Sequence, residues 1–292
     1  MPKIVKAPAS ATIINAMATG FGSAFAIDLN TKITCKIGKK EGITCTSELE
    51  PNPTLMYKCT EHILKVYNLK STDLDFNIDI NAKSNIPLGS GLSSSSAISN
   101  GVCLALSNLL TEELDLKPLT DLQIINSAID ASIECGVTIT GSFDDASSSY
   151  FGGLIISDNT NRKILFKKEL EEKNILINMP ETPSLSGKVD TSRIKLLSPL
   201  VDIAFNKALD GEYYNALNLN GLIYGNLLNF DNEIAIKALS AGALASGLSG
   251  SGSAYVAIVD DENIDNVKDT WEDYCKGEII QTKINNQGTI TL

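Results

Sequence analysis

A glycine- and serine-rich stretch at residues 87–97, called here the first glycine loop, carries residue types that bind phosphate. It reads Pro87, Leu88, Gly89, Ser90, Gly91, Leu92, Ser93, Ser94, Ser95, Ser96 and Ala97. Glycines let the backbone approach a ligand closely, and successive N–H groups in such a turn form an anion site. Serine hydroxyls can cap a helix, contact phosphate or bind a magnesium ion. Taken alone, this composition is equally typical of a flexible turn that ends in an N-cap serine.

The predicted elements on either side favour the phosphate interpretation. Apolar and polar residues alternate over residues 73–81, which predicts a strand, and helical spacing over residues 94–110 predicts a helix. This order places the unpaired N–H groups and the positive dipole end of the helix at the loop. The sequence has no Gly-x-x-x-x-Gly-Lys-[Ser/Thr] and no Rossmann fingerprint, so a different class of phosphate-binding protein is indicated.

Three acidic residues follow the loop. Asp144 and Asp145 precede Gly152-Gly153, and Glu134 lies eleven positions before Asp145. Phosphoryl transfer needs a carboxylate beside the attacking hydroxyl and neutralisation of phosphate charge, and Mg²⁺ takes hard oxygen ligands. The alternatives are a solvated helix-end charge for Glu134 and a polar loop or helix N-cap for the two aspartates.

Composition and charge exclude several classes of protein. The 292 residues are 43% hydrophobic and 20% charged, as in an ordinary globular protein of one or two domains. No apolar run approaches the ~20 residues of a membrane span, and the N-terminus lacks the form of a signal peptide, so we expect a cytoplasmic protein with no membrane partner. The net charge of −11 argues against a nucleic-acid partner. The six cysteines contain no C-x-x-C pair, so no zinc site is expected.

The order of predicted elements indicates an α+β protein. The predicted strands are residues 3–6, 24–37, 73–81, 150–156, 175–179, 255–259 and 277–292. The predicted helices are residues 51–67, 94–110, 119–136, 200–209, 213–228, 234–242 and 267–275. Residues 138–149 are read as a polar segment, and an exposed turn at residues 158–161 places a domain boundary between residues 157 and 158.

The first glycine loop resembles the central motif of the GHMP kinases, the family of galactokinase, homoserine kinase, mevalonate kinase and phosphomevalonate kinase. Residues 247–254, the second glycine loop, are similar to a later motif of that family, and residues 7–12 to its N-terminal motif. The chain departs from the pattern at Ser93, where most members have glycine, and at Ser96, where alanine is common. Ser10 stands where several members have a lysine.

The resemblance implies a two-domain GHMP kinase fold with the active site in the cleft between the domains. Residues 1–157 would form a ribosomal protein S5 domain 2-like domain that binds ATP, and residues 158–292 a ferredoxin-like domain. The first glycine loop would bind ATP, with Ser95 and Glu134 holding Mg²⁺. Asp145 would accept the proton of the substrate hydroxyl, and Asp144 would orient Asp145.

Four segments are most similar to the archaeal shikimate kinases of this family, namely residues 12–16, 20–24, 142–146 and 219–224. The implied reaction converts ATP and shikimate to ADP and shikimate 3-phosphate, towards aromatic amino acids. Shikimate has one carboxylate and three hydroxyls, so its site should hold a cation and hydrogen-bond partners. The candidates are Thr12, Asn15, Lys188, Arg193, Gly250, Ser251 and Gly252. For the two cations, a solvated surface position is the alternative.

Three alternatives stay open, namely a homoserine kinase, a mevalonate kinase and a catalytically silent relative that binds a ligand. The choice between a monomer and a homodimer also stays open. Homoserine kinases typically lack the catalytic aspartate, and mevalonate kinases usually carry the N-terminal lysine that is absent here. A catalytically silent ligand-binding relative would not need Ser95, Glu134 and Asp145 together.

Overall fold

The computed structural model describes residues 1–38, 42–48, 53–138, 140–181 and 191–292. Its strands are β1 (Lys3–Ile14), β2 (Phe21–Gly38), β3 (Ile43–Ser47), β4 (Asn77–Ser84), β5 (Leu154–Asp158), β6 (Lys163–Lys168), β7 (Asn174–Pro180), β8 (Ala245–Leu248), β9 (Tyr255–Val259), β10 (Gly277–Lys283) and β11 (Ile290–Thr291). Its α-helices are α1 (Thr54–Val66), α2 (Ser94–Glu113), α3 (Asp121–Glu134), α4 (Phe143–Phe151), α5 (Thr191–Leu196), α6 (Ser198–Leu209), α7 (Tyr213–Leu227), α8 (Glu233–Ser240) and α9 (Ile264–Tyr274).

The first sheet is built around the long strand β2. Its order is β11-β1-β2-β4-β3, with β5 paired to β2 and β6 paired to β5. The first part of β2 pairs with β5 and the second part with β4, so one strand serves both branches of the sheet. Within the described residues, β3 and β4 form a parallel pair and the other pairs of this sheet are antiparallel. Helices α1 to α4 supply the apolar side chains that cover it.

The second sheet has the strand order β10-β7-β9-β8, and its neighbours are all antiparallel. Numbered from β7, this is the order 4-1-3-2, which is that of a ferredoxin-like domain and confirms the predicted two-domain α+β fold. Trp271 of α9 is fully buried, and its indole N–H donates to the Ile234 carbonyl of α8 at 2.8 Å. Among the described residues, no helix combines the length and apolarity needed to span a bilayer.

The division at residues 157 and 158 stays a prediction. The first sheet continues past it into β6, and the C-terminal β11 returns to pair with β1. The second half of the chain therefore contributes strands to both sheets.

Strand β1 is longer than its predicted span of residues 3–6, because the small residues that follow it also belong to the strand. Ala7, Ala9 and Ala11 have no exposed surface. Small side chains are needed here because α2 packs closely on the sheet, and a Cβ on Gly101 of α2 would collide with Ile33 of β2. A strand that is buried on both faces does not alternate between apolar and polar residues, so the predicted strand ended at residue 6 although β1 continues to Ile14.

No helix was predicted in the polar segment at residues 138–149, yet α4 begins there at Phe143. Its serines are buried rather than solvated, and the hydroxyls of two of them have partners inside the protein. Ser149 Oγ donates to the Pro8 carbonyl at 2.7 Å, and Ser148 Oγ to the Asp145 carbonyl at 3.1 Å. Small hydroxyl side chains thus share the buried surface of α4 with Phe143, Ala146 and Tyr150, which weakens the apolar stripe that usually reveals a helix.

Candidate active site

A cleft of about 510 Å³ opens between the first glycine loop and the start of α4. The first loop and the beginning of α2 form one wall, and the end of α3 with the start of α4 forms the other. The end of β1 and the second glycine loop close it. The residues that line it are 12, 15–17, 88–91, 93–96, 99, 129, 132, 136–138, 140–142, 144–146, 159 and 250–251.

The first wall is a cradle of backbone N–H groups and hydroxyls. Gly89 and Gly91 have φ of 63° and 79°, and Ser93 has φ of 58°, so the chain turns sharply before α2 begins at Ser94. No side chain caps the N-terminus of α2. The first N–H groups of this twenty-residue helix are therefore available to an anion, with the positive end of the helix dipole behind them.

The second glycine loop supports the first from behind. Ser249 Oγ donates to the Gly91 carbonyl at 2.8 Å, and the Ala254 N–H donates to the Ser90 carbonyl at 3.0 Å. A Cβ on Gly91 would overlap the Ser249 carbonyl oxygen, so only glycine permits this backbone contact. The two loops thus form one rigid unit, with the first loop facing the cleft.

Asp145 lies in the first turn of α4 and faces the cleft. Its Oδ1 is 3.2 Å from Ser10 Oγ, which is itself 2.7 Å from Ser93 Oγ. Burial raises the pKa of Asp145 from 3.8 to about 8, the charge of Asp144 adds to this effect, and hydrogen bonds from Ser93 and Ser10 oppose it. A carboxylate with raised proton affinity beside a phosphate cradle is suited to accept a proton from a substrate hydroxyl.

Asp144 is buried behind its neighbour, with 3% of its surface exposed. Its Oδ1 accepts a hydrogen bond from Asn159 Nδ2 at 2.6 Å, and its backbone N–H donates to Asn159 Oδ1 at 3.2 Å. Burial raises the pKa of Asp144, and the hydrogen bond from Asn159 acts in the opposite direction. Both aspartates line the cleft, and Asp145 is the more exposed of the two. The division of roles between them stays a prediction.

Most of the predicted phosphate loop reaches the cleft. Residues 88–91 and 93–96, Ser95 among them, line it. Leu92 and Ala97 do not, because both are fully buried in the core behind the loop, and Pro87 is also outside the lining.

Thr12 and Asn15 line the cleft, but their polar atoms join the two halves of the protein. Thr12 Oγ1 accepts from the Gly250 N–H at 3.0 Å. Asn15 Nδ2 donates to the Gly250 carbonyl at 2.9 Å, and Asn15 Oδ1 accepts from the Met17 N–H at 3.0 Å. The Asn15 carbonyl accepts from Tyr224 Oη at 3.1 Å. These contacts hold the end of β1 against the second glycine loop.

Glu134 does not reach the cleft, so the structure does not bring the two predicted metal ligands together. Its carboxylate pairs with Lys58 at 2.8 Å and His62 at 3.0 Å on the outer side of α1 and α3, and these partners lower its pKa. Two residues of α3 line the cleft, Ile129 and Ser132, of which Ser132 is nearer to Glu134 in the sequence. Glu134 lies two positions later, about 200° around the helix, and therefore points away.

Three other substrate candidates are also placed outside the cleft or cannot be placed. Arg193 of α5 is exposed and is not among the lining residues, and Lys188 lies outside the described residues. Gly252 packs against the ring of Phe230 rather than lining the cleft, whereas Gly250 and Ser251 line it. The described lining contains no lysine, arginine or histidine, so the predicted cation for a substrate carboxylate is not assigned.

Sequence reasoning missed two residues at this site. Asn159 was read as part of an exposed turn, yet it is 5% exposed and bonds to Asp144. Tyr224 was noted only as part of a similar segment, yet it is fully buried and fixes the end of β1. The sequence indicated a structural role for Tyr224 only through its position on a predicted helix. It did not indicate that Asn159 is buried at the site, because asparagine is common in turns.

Fold and cleft together define a class, the two-domain phosphotransferases with a glycine-loop cradle. The model of the GHMP kinases N terminal domain matches residues 54–153, and that of the GHMP kinases C terminal domain matches residues 211–277. A protein of Methanobrevibacter smithii named shikimate kinase is 52% identical over 288 residues, covering 99% of this chain and 98% of the relative. Another of that name, from Methanothermobacter thermautotrophicus, is 42% identical over 99% of this chain and 98% of its own length. The chain belongs to the GHMP kinase family.

Solved structures agree on the fold. The mevalonate kinase of Methanococcus jannaschii superposes with a TM-score of 0.74 at 17% identity, covering 96% of this chain and 98% of that one. A phosphotransferase related to the CoA biosynthesis pathway superposes with a TM-score of 0.78 at 16% identity, covering 100% and 99%.

Proposed function

We propose that this protein is a shikimate kinase, which transfers the γ-phosphoryl group of ATP to the 3-hydroxyl of shikimate. The observation that carries the proposal is the cleft, in which an uncapped helix N-terminus faces a buried aspartate pair. The relatives that are 52% and 42% identical over nearly the whole chain, both named shikimate kinase, support the choice of substrate. The mevalonate and homoserine kinases among the structural neighbours share the fold at 16% to 17% identity and support no substrate.

ATP would place its phosphates against the first glycine loop. The uncapped N–H groups at the start of α2 and the hydroxyls of Ser93 to Ser96 are neutral donors that suit the phosphate oxygens. Because the protein carries a net charge of −11, this local arrangement supplies the positive potential that the cleft needs.

Mg²⁺ fits the donors of this wall, because it prefers hard oxygen ligands and keeps several waters beside phosphate oxygens. Ser95 lines the cleft and would hold the ion together with the phosphates, while Glu134 faces the other side of α3 and would not. When bound, the ion neutralises charge on the β- and γ-phosphates.

In the transfer itself, the 3-hydroxyl oxygen of shikimate attacks the γ-phosphorus as the bond to the β–γ bridging oxygen breaks, and ADP leaves with that oxygen. The hydroxyl proton passes to the carboxylate of Asp145. Asp145 is placed for this task because its Oδ1 is held 3.2 Å from Ser10 Oγ, beside the cradle serine Ser93. Fixing both reactants in one cleft lowers the entropic part of the barrier.

We further infer that the protein works in the cytoplasm, where its six free cysteines would stay reduced. Four of them, Cys35, Cys45, Cys59 and Cys103, are buried as small apolar residues in the core under the first sheet.

A coupled assay of ADP release with Mg-ATP and, in parallel, shikimate, homoserine and mevalonate tests the proposal. We expect turnover with shikimate at least 100-fold above that with the other two, an order of discrimination typical of polar substrate sites. Turnover of homoserine or mevalonate in place of shikimate would reassign the substrate. Absence of ADP release with all three, together with no thermal shift by Mg-ATP, would overturn the kinase proposal.

A further inference from the structure

Asn159 is a buried polar residue that the proposed reaction does not use directly. It follows β5 in the turn that leads to β6, and only 5% of its surface is exposed. Its backbone N–H donates to the Gly20 carbonyl at 2.9 Å, which fixes the turn, and its side chain points inward to the cleft lining.

The orientation of its amide is set by three hydrogen bonds. Asn159 Oδ1 accepts from Ser157 Oγ at 2.7 Å and from the Asp144 N–H at 3.2 Å. Since the backbone N–H of Asp144 can only donate, the oxygen of the Asn159 amide must face it, and the NH₂ group must face the Asp144 carboxylate. Nδ2 accordingly donates to Asp144 Oδ1 at 2.6 Å.

Asp144 is confined on its other side by Gly22 of β2. A Cβ at Gly22 would overlap Asp144 Oδ2, so the carboxylate fills the space left by the missing side chain. Asn159 and Gly22 thus hold Asp144 from two sides. Because Asp144 and Asp145 are neighbours in the first turn of α4, fixing one also fixes the other.

We propose that Asn159 is a positioning residue for phosphoryl transfer: by bonding to both the side chain and the backbone N–H of Asp144, it fixes the first turn of α4 so that Asp145 faces the cleft. This inference rests on the proposed kinase function. A hydrogen bond donated to Asp144 also favours its ionised form, so that a proton shared by the pair resides on Asp145. The greater proton affinity of Asp145 then makes it a better acceptor for the proton of the substrate hydroxyl.

Neutral groups surround the pair in the described part of the chain. Ser10 of β1 and Ser93, just before α2, face Asp145. Asn159 and Gly22 of β2 face Asp144. The charged group that acts on Asp145 is Asp144, and the side-chain hydrogen bond that acts on Asp144 comes from Asn159. A change at Asn159 should consequently be visible in the titration of these two carboxyls.

The test compares Asn159→Ala with Asn161→Ala in the full-length protein. Asn161 is a matched control because it lies in the same turn, is exposed, and bonds through its N–H and amide to Asp158, at 2.9 and 2.8 Å. One readout is the pH dependence of kcat and kcat/KM with shikimate. The other is the titration of aspartate carboxyls by ¹³C NMR without ligands, which does not depend on activity.

In Asn159→Ala we expect the shared proton to move to Asp144, because that carboxylate loses its donor. The acid limb of kcat/KM should therefore shift to lower pH by about one unit, and the plateau of kcat should fall about tenfold as Asp145 becomes a weaker and less well placed base. The NMR titration of the pair should change in the same variant, and Asn161→Ala should match the wild type in both readouts. Ser157→Ala, which removes the donor to Asn159 Oδ1, should show a smaller shift in the same direction.

A pH profile and a carboxyl titration of Asn159→Ala that superpose on those of the wild type would overturn the inference. Should that variant fail to fold, Ser157→Ala decides in its place, and an unshifted titration there would equally overturn it. If the wild type does not phosphorylate shikimate, the proposed function fails, whereas the NMR comparison still decides the role of Asn159.

Discussion

The two walls of the cleft differ in the kind of group that each presents. The first glycine loop and the start of α2 offer backbone N–H groups and serine hydroxyls, none of which changes charge near neutral pH. The wall formed by the start of α4 offers the carboxylates of Asp144 and Asp145, whose pKa values are raised by burial and whose charge depends on pH. In the proposed reaction, binding of phosphate and transfer of a proton would thus fall to separate structural elements.

Because the two walls belong to different elements, we expect that substitutions can impair one wall without impairing the other. The neutral wall is held by hydrogen bonds from the second glycine loop to its backbone carbonyls, so substitutions there should affect the shape of the wall and its affinity for nucleotide. The acidic wall is held by hydrogen bonds to Asp144, so substitutions there should affect turnover and its pH dependence. Four variants and one titration test this comparison.

The largest effect is expected for Asp145→Asn on the acidic wall. Removing the proton acceptor should lower kcat about 10³-fold, while the Kd of Mg-ATP should stay within about twofold because the neutral wall is unchanged. Initial rates of ADP release and isothermal titration calorimetry measure the two quantities. Wild-type turnover in this variant would remove Asp145 from the mechanism, and lost nucleotide binding would contradict the division between the walls.

The neutral wall should be most sensitive at Gly91. In Gly91→Ala, a positive φ of 79° and overlap with the Ser249 carbonyl should lower the free energy of unfolding by about 3 kcal/mol and weaken Mg-ATP binding at least tenfold. Gly89→Ala is the matched control, since it also has positive φ but no atom within 4 Å of its Cβ; it should cost about 1 kcal/mol. Equal effects of both substitutions, measured by denaturant unfolding, would show that contact with the second glycine loop does not shape the cradle.

The raised pKa values also predict that replacing Asp145 by a neutral residue stabilises the folded protein. Because the folded pKa of each aspartate lies above 3.8, the native state binds more protons than the unfolded chain just above that pH, and the free energy of unfolding falls as pH rises towards the folded pKa. Asp145→Asn should therefore raise Tm by a few degrees at pH 8 and by less at pH 4. Calorimetric melting at the two pH values checks this, and a Tm lowered more at pH 8 than at pH 4 would be the wrong sign.

The smallest effect is expected for Glu134→Gln. Its partners Lys58 and His62 lie outside the cleft, so kcat and the dependence of rate on Mg²⁺ concentration should stay within about twofold of the wild type. A metal ligand would instead cost on the order of 10- to 100-fold in metal affinity. A loss of that size, measured by titrating Mg²⁺ at fixed ATP, would restore Glu134 to the metal site.

Local order along the chain was enough to predict the neutral wall, because the strand, the first glycine loop and α2 are consecutive. A motif shared with a family also placed Asp145 at the cleft, whereas its role as proton acceptor stays a prediction. Local order failed for Glu134, since a spacing of eleven residues says nothing about which side of α3 the residue occupies. Contacts such as those of Asn159 with Asp144 and of Tyr224 with Asn15 join distant segments, and only the folded structure reveals them.

The most direct test of this division is to measure kcat with shikimate and the Kd of Mg-ATP on the wild-type protein across pH 7 to 9. A pKa of about 8 for Asp145 predicts that kcat rises with pH through this range as the carboxylate ionises. Over the same range, the Kd of Mg-ATP should stay constant within about twofold, since the groups that hold the phosphates do not titrate. A Kd that follows the same pH limb as kcat, or a kcat that does not change with pH, would contradict the account.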